Sequence, residues 1–528
     1  MRNLKVILPL LFILAGCSRN DLDQPNETLN DKELSKKSRV NVQAFEQYGI
    51  WTTNVPAGQR LTKTFNGDLS FNSTPNGNPI IEVDSRAGNR SQYIDGFGYT
   101  LTGGSAELID NMSEGPKSAL LNNLFGFTQA GQNKINVIRI AIGSEDLSRN
   151  AYTLNDNPPG GIDLAQNNFS LSKDDRKIRV LKRILQINPN IKIIATPWSA
   201  PAWMKDNNNL QGGRLKTDSN NGNQIYYESY AIYFRKYVEA MKNQHGIQIW
   251  AVTPQNEPQS GNHLPSMIMY DFEHINFIQY HLYNKLSSLS NRPLIIAYDH
   301  NPGFESATGM TGVNYVRNLL NNNDLFNKIE GIGWHLYSGS INDLSTIHNE
   351  FKDKRNPPIG TFFTEQWLQR KSYLDNGDFM WHINNITIDA LNNFSRTVLE
   401  WNLASNPNTD IRTSNTPGVA CQDCMGAVTI DGSSNYSFNV SYYSIAHVSR
   451  FLGDGAQRLF PKPHSVGNIK YAAFVNDKSP YARIMLIAND NDQAKNLNLK
   501  YIDYDGNVKY AAITVPAKSA QTYVWKQN

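Results

Sequence analysis

The chain has 528 residues, 40% of them hydrophobic, so it can bury a sizeable core and exceeds one average domain. Its 50 Lys and Arg face 47 Asp and Glu, a formal net charge of +3, which removes any electrostatic case for nucleic acid or an anionic membrane surface as partner. Aromatics are the skewed class, with 9 Trp, 25 Tyr and 22 Phe; they fill cores by default, and their flat faces also suit sugar rings.

In chain order, Arg2 and Lys5 precede an apolar run at 6–14 and then Ala15-Gly16-Cys17. A basic start and a short apolar stretch predict an export signal, too short to span a membrane. Its ending, Leu14-Ala15-Gly16-Cys17, resembles a bacterial lipoprotein signal, in which residues 1–16 are removed and Cys17 becomes a lipidated N-terminus. An ordinary signal with an incidental Cys is the plainer alternative. The expected location is lipid-anchored to a bacterial outer membrane, periplasmic or cell-surface, with the anchor as the membrane contact. Residues 17–39 are polar without an apolar period and read as a flexible tether.

Residues 40–90 alternate, with Thr, Asn and Gly punctuation, and predict short β-strands. From 91 to 436 apolar strands and amphipathic helices take turns. Strands are expected at 95–98, 137–142, 192–196, 249–252, 294–298, 331–335, 361–364 and 400–403. The helices between them fall at 174–187, 226–241, 271–289, 313–320 and 382–399, the second with Tyr226, Tyr230, Tyr233, Tyr237 and Met241 on one stripe. Eight such strands fit a (β/α)₈ TIM barrel. A doubly wound sheet would want a third glycine and a helix start after Gly96-Phe97-Gly98, and neither is present. Residues 437–528 revert to alternation and predict an appended β-sandwich, completed by the N-terminal strands.

Catalytic groups of such a barrel sit at the C-terminal ends of its strands. Arg139 lies in the second strand, Trp198 follows the third, and Asn256-Glu257-Pro258 follows the fourth, where Pro258 is expected to hold Glu257 extended. Asp299-His300-Asn301 follow the fifth, His335 and Tyr337 end the sixth, Glu365 ends the seventh, and Trp401-Asn402 lie in the eighth. Taken singly, each has a plain structural use: a Glu salt-bridged to Arg139, a satisfied core His335, core Trp198 and Trp401. Two carboxylates on strands four and seven instead suit retaining glycoside hydrolysis, which uses two carboxyls about 5–5.5 Å apart. Cys421 and Cys424 lack nearby Cys or His to complete a zinc site. In an exported protein a local disulfide is expected, with two reduced thiols as the other reading.

The segments Gly96-Phe97-Gly98, Arg139-Ile140-Ala141-Ile142-Gly143-Ser144, Thr196-Pro197-Trp198-Ser199-Ala200-Pro201, Gln255-Asn256-Glu257-Pro258, Gly333-Trp334-His335, Thr364-Glu365 and Trp401-Asn402-Leu403 together resemble glycoside hydrolase family 30, the group of glucosylceramidases and endo-β-1,6-glucanases. The resemblance implies Glu257 as acid/base and Glu365 as nucleophile. Asn256 would bond the sugar 2-hydroxyl, with Arg139, Trp198, His335, Tyr337 and Trp401 around the cleaved sugar. It implies a β-linked oligo- or polysaccharide or a glycolipid as substrate, and neither cofactor nor metal. Three departures bear on specificity. Gly103 stands where the family commonly has an Asp gripping sugar hydroxyls, Leu336 replaces a Trp, and Asn408-Thr409-Asp410-Ile411 replaces a Gly-Gly-Pro-Asn loop. A β-galactosidase, β-fucosidase or β-xylanase of the same fold stays open on that account, as does a non-catalytic glycan-binding surface lipoprotein.

Overall fold

A computed structural model describes residues 48–157, 161–217, 224–370, 377–460, 466–477 and 482–526. The export signal, Cys17, the tether and the strand expected from residue 40 to 47 lie outside the described residues. Eight parallel strands close a barrel. They are β1 Gly96–Thr100, β2 Val137–Ala141, β3 Lys192–Thr196, β4 Ala251–Val252, β5 Leu294–His300, β6 Gly331–His335, β7 Gly360–Glu365 and β8 Ser395–Asn402. β8 pairs with β1 and β5 with β6, so no edge is left open. Period-two alternation sets what each strand side chain meets. Val137, Ile194, Ala251, Ile296, Phe362 and Leu399 fill the barrel interior, while their neighbours Ile138, Ile193, Val252, Ile295, Phe363 and Val398 belong to the larger core under the helices. The tyrosine stripe follows the same logic: on helix Ile225–His245, Tyr230, Tyr233, Tyr237 and Met241 are all buried.

β8 begins five residues before its expected start. The preceding helix runs from Gly377 and ends at Asn392, with a π-helical turn at His382–Ile388. Phe394 then adopts φ +68°, which no helix continues through. The apolar residues Val398 and Leu399 keep to the helix period from Leu391, which is why the pattern merges strand with helix. The chain also carries a helix, Val440–Ser449, inside the stretch expected to be sandwich; it lies against β1, with Tyr99 Oη donating to the Ser441 carbonyl at 2.9 Å. Sheet structure resumes only at Gln457.

The appended domain consists of two sheets. A seven-stranded sheet runs in the order Gln59–Asn66, Gly49–Asn54, Ser519–Lys526, Ala482–Asn489, Ile469–Asn476, Gln457–Leu459, Arg90–Tyr93, and a three-stranded sheet in the order Val508–Val515, Lys495–Ile502, Ile80–Asp84. Strand Ala482–Asn489 is buried on both faces, and alternation divides it: Ile484, Leu486 and Ala488 pack toward the barrel, while Met485 and Ile487 pack toward the three-stranded sheet. His447 joins barrel and sheet, its ring nitrogens 2.8 Å from Thr522 Oγ1 and 2.9 Å from Thr53 Oγ1. Among the described residues no helix is long and apolar enough to cross a membrane.

Candidate active site

The second strand supplies the central cation. Val137 packs in the barrel interior and Ala141 against Trp198 and Trp401 above it, so Arg139 between them points the same way, and its guanidinium is fully buried. A buried guanidinium requires carboxylate partners. Arg139 Nη1 donates to Glu365 Oε2 at 2.5 Å, and Nη2 donates to Asp299 Oδ2 at 2.9 Å and to Asn256 Oδ1 at 2.6 Å. Asp299 reaches the interior through a break in alternation. Ile296 points in and Ala297 out, but Tyr298 and Asp299 both take φ +74°, so Tyr298 turns to the outer core and Asp299 turns inward. There its two oxygens also accept from Thr253 Oγ1 at 2.8 Å and Thr364 Oγ1 at 2.6 Å, with His335 Nε2 at 3.2 Å. Burial raises this carboxyl, but Arg139 and His335 outweigh it and hold Asp299 well below the ordinary range.

His335 stands between carboxylates on both sides, with Nδ1 3.2 Å from Glu257 Oε1. Two ring nitrogens facing two acceptors require both to carry protons. Burial alone would lower its pKa; the Glu365 charge and the bonds to Asp299 and Glu257 raise it to about 9. Glu257 does not take the extended geometry expected before Pro258 but φ +46°. Its N–H donates to the Asp299 carbonyl at 3.0 Å and its carbonyl accepts from Ser260 N at 2.8 Å, and these two bonds override a local preference worth about 1–3 kcal/mol. One oxygen each of Glu257 and Glu365 and a nitrogen of His335 lie within 4.8 Å of one another. Such a trio could share a cation, but Arg139 already neutralises Glu365 and the His335 proton already faces Glu257.

The charges of this pair follow from their donors. Burial and the charge of Glu257 raise the Glu365 carboxyl against the pull of His335 and Arg139. Both of its oxygens nonetheless accept bonds, from Arg139 and from Tyr337 Oη at 2.9 Å, the pattern of an ionised carboxylate. Burial raises Glu257 as well, while His300, His335 and His263 draw it below the ordinary range. The largest of those pulls needs a charged His300, and burial keeps His300 down at about 4, so at neutral pH that pull is absent.

The structure brings the two expected catalytic carboxylates and the expected sugar-pocket residues to one place. Arg139, His335, Asn256, Glu257 and Glu365 form one hydrogen-bonded network, with Tyr337 at its rim, 38% exposed. Trp198 and Trp401 lie 5.3 Å apart, with the guanidinium 4.7 Å from the Trp198 ring centre. They line one wall of a cleft of about 490 Å³. Cys421 and Cys424, joined by a disulfide, line the same cleft, and a short ladder between Leu368–Gln369 and Cys424–Met425 ties their loop to β7. Several groups escaped the pattern: Asp146, His263, Glu305 and Trp367 also line the cleft. Gly103, which the resemblance sets where an Asp commonly grips the sugar, does not line the cleft; a side chain there would meet Ser148 Oγ at 2.2 Å, and Glu145 Oε1 accepts its N–H at 2.8 Å. Asp146, not residue 103, brings a carboxylate to this wall, with Oδ2 accepting from Cys421 N at 2.9 Å.

Residues 94–452 match the TIM-barrel domain of glycosyl hydrolase family 30. The chain belongs to that family. This family 30 glycoside hydrolase is 33% identical over 391 residues to an endo-1,6-β-D-glucanase of Aspergillus fumigatus, an alignment spanning 71% of this chain and 74% of that one. It is 23% identical over 452 residues to the lysosomal acid glucosylceramidase of Mus musculus, spanning 83% and 82% of the two chains. Among solved structures, an endo-β1,6-glucanase superposes with a TM-score of 0.77 at 28% identity, covering 91% of this chain and all, 100%, of the other.

Proposed function

We propose that this enzyme hydrolyses β-1,6-glucosidic bonds of a glucan with retention of configuration, Glu365 being the nucleophile and Glu257 the acid/base. The observation that carries this reading is the pair of carboxylates, one oxygen of each within 4.8 Å of the other, which fits the roughly 5–5.5 Å between carboxyl groups that a double displacement uses. Ionised Glu365 attacks the anomeric carbon while protonated Glu257 delivers its proton to the leaving oxygen. Water then attacks the glycosyl–enzyme with Glu257 as base. Arg139 and Tyr337 hold the nucleophile's two oxygens during the approach. Since the guanidinium only donates, Asn256 must turn its oxygen to Arg139, which aims its amide N–H₂ at the cleft to meet the sugar 2-hydroxyl. Asp146 and Trp198 grip the far side of the ring. The choice of glucan over glycolipid rests on the fungal endo-1,6-β-glucanases, which are nearer in sequence than the glucosylceramidases.

The test is incubation with β-1,6-glucan, with the first-formed anomer followed by proton NMR. Release of β-configured reducing ends is expected; an α-anomer, or no cleavage of any β-glucoside, overturns the reading. We also propose export and lipid attachment at Cys17, supported by the basic, apolar and small-residue sequence that precedes it. Mass spectrometry of the mature N-terminus would find a diacylated or triacylated Cys17, and an unmodified residue at any other cleavage point would exclude it.

A further inference from the structure

Beyond β5 the chain forms a short hairpin, Phe304–Glu305 pairing with Met310–Thr311, that brings Glu305 to the cleft. This carboxylate is placed by its neighbours. Oε1 accepts from Asn301 Nδ2 at 3.1 Å and Ser338 Oγ at 2.9 Å, and Asn301 is itself fixed by the Tyr337 N–H, 2.7 Å from its Oδ1. Oε2 accepts no hydrogen bond from any described residue, and the side chain is 21% exposed. His300 Nε2 lies 3.8 Å from Glu257 Oε1 and 3.9 Å from Glu305 Oε1, so the two carboxylates flank one imidazole. Neither Arg139 nor Glu365 touches Glu305.

These positions assign sides to the cleft. In a double displacement the broken bond lies between the nucleophile and the acid/base, so groups beyond Glu257 from Glu365 face the leaving group. His335 stands between Glu257 and Glu365, and His300 between Glu257 and Glu305, which sets Glu305 on the Glu257 side of the pair. A half-buried carboxylate oxygen without a partner is costly to cover with an apolar group, whereas a sugar hydroxyl donates to it. We infer that Glu305, positioned by Asn301 and Ser338, is the specificity residue of the leaving-group subsite, taking a hydroxyl proton from the departing sugar and rejecting a lipid there. The inference rests on the reaction proposed above and narrows its substrate to one with a saccharide on both sides of the bond.

The experiment compares kcat/KM on a β-1,6-gluco-oligosaccharide with kcat/KM on a nitrophenyl β-glucoside, whose leaving group has no hydroxyl donor, for wild type, Glu305→Gln and Glu305→Leu. The expected result is a fall of about 10- to 100-fold in the oligosaccharide-to-aryl ratio in both variants, the size of one lost charged hydrogen bond. An unchanged ratio overturns the inference, as does a wild-type enzyme that cleaves glucosylceramide as efficiently as the oligosaccharide. A wild type inactive on every β-glucoside sinks the underlying reaction instead, so the two failures are told apart. Should the Glu305 variants fail to fold, Ser338→Ala, which releases one of the two bonds on Oε1, must lower the same ratio at least threefold; if it does not, the inference falls.

Discussion

Both oxygens of Glu365 are engaged by donors that serve its charge rather than its proton. Glu365→Ala is therefore expected to fold and to lose several orders of magnitude in kcat. Azide should restore turnover and yield an α-glycosyl azide; near-normal activity without azide, measured on an aryl β-glucoside, would remove the residue from the mechanism. His335 carries the opposite charge logic. Its pKa of about 9 in the folded site exceeds the ordinary 6.5, so its proton stabilises the fold fully below pH 6.5, and that stabilisation is lost as pH rises through 9. The contribution is on the order of 3 kcal/mol. Thermal melts should show the midpoint falling between pH 7 and 9.5, and His335→Gln should flatten that limb. Glu257, Glu365, Arg139 and His335 could be read from sequence because each occupies, ends or closely follows an apolar strand. Asp146 and Glu305 could not, because their loops carry no period and many surface acids look the same.

At the level of elements, the barrel's irregularities do the aiming. The paired positive φ values at Tyr298 and Asp299 move one carboxylate from the helix side to the interior, and no residue there announces it, since neither is Gly. Close strand approach is easier to see in the sequence. Gly98 has an ordinary φ, yet a Cβ on it would sit 1.8 Å from the Val137 carbonyl at the β1–β2 seam. Gly98→Ala must push those strands apart, and a loss of about 1–3 kcal/mol is expected from denaturant unfolding. An unchanged midpoint would mean the seam is looser than these distances require. Strand number and order followed from apolar runs at regular intervals, whereas the start of β8 did not, because its apolar residues continue the period of the helix before it.

For the molecule as a whole, His447 is a structural hinge pin: it reaches Thr522 on the last strand and Thr53 on the first, and burial lowers its pKa to about 3. Kept neutral where an unfolded chain would be protonated, it makes stability rise with pH from about 3 up to the ordinary 6.5, opposite in sense to His335. His447→Ala leaves both hydroxyls without this partner and opens a cavity, so a loss of about 2–4 kcal/mol is expected by calorimetry. Turnover per folded molecule should be unaffected; a fall in kcat at a temperature where the variant is fully folded would contradict a purely architectural role.

The same sheet also dictates an order of events in the cell. Strand Gly49–Asn54 lies between Gln59–Asn66 and Ser519–Lys526, and Gln521 Nε2 donates to Thr52 Oγ1 across 469 residues of chain. At roughly 5–20 residues per second, the first strand emerges from the ribosome on the order of half a minute or more before its partner exists. Its hairpin must wait with one edge bare while the barrel between them is made. Until then an uncovered β-edge is the surface on which a holding chaperone would act.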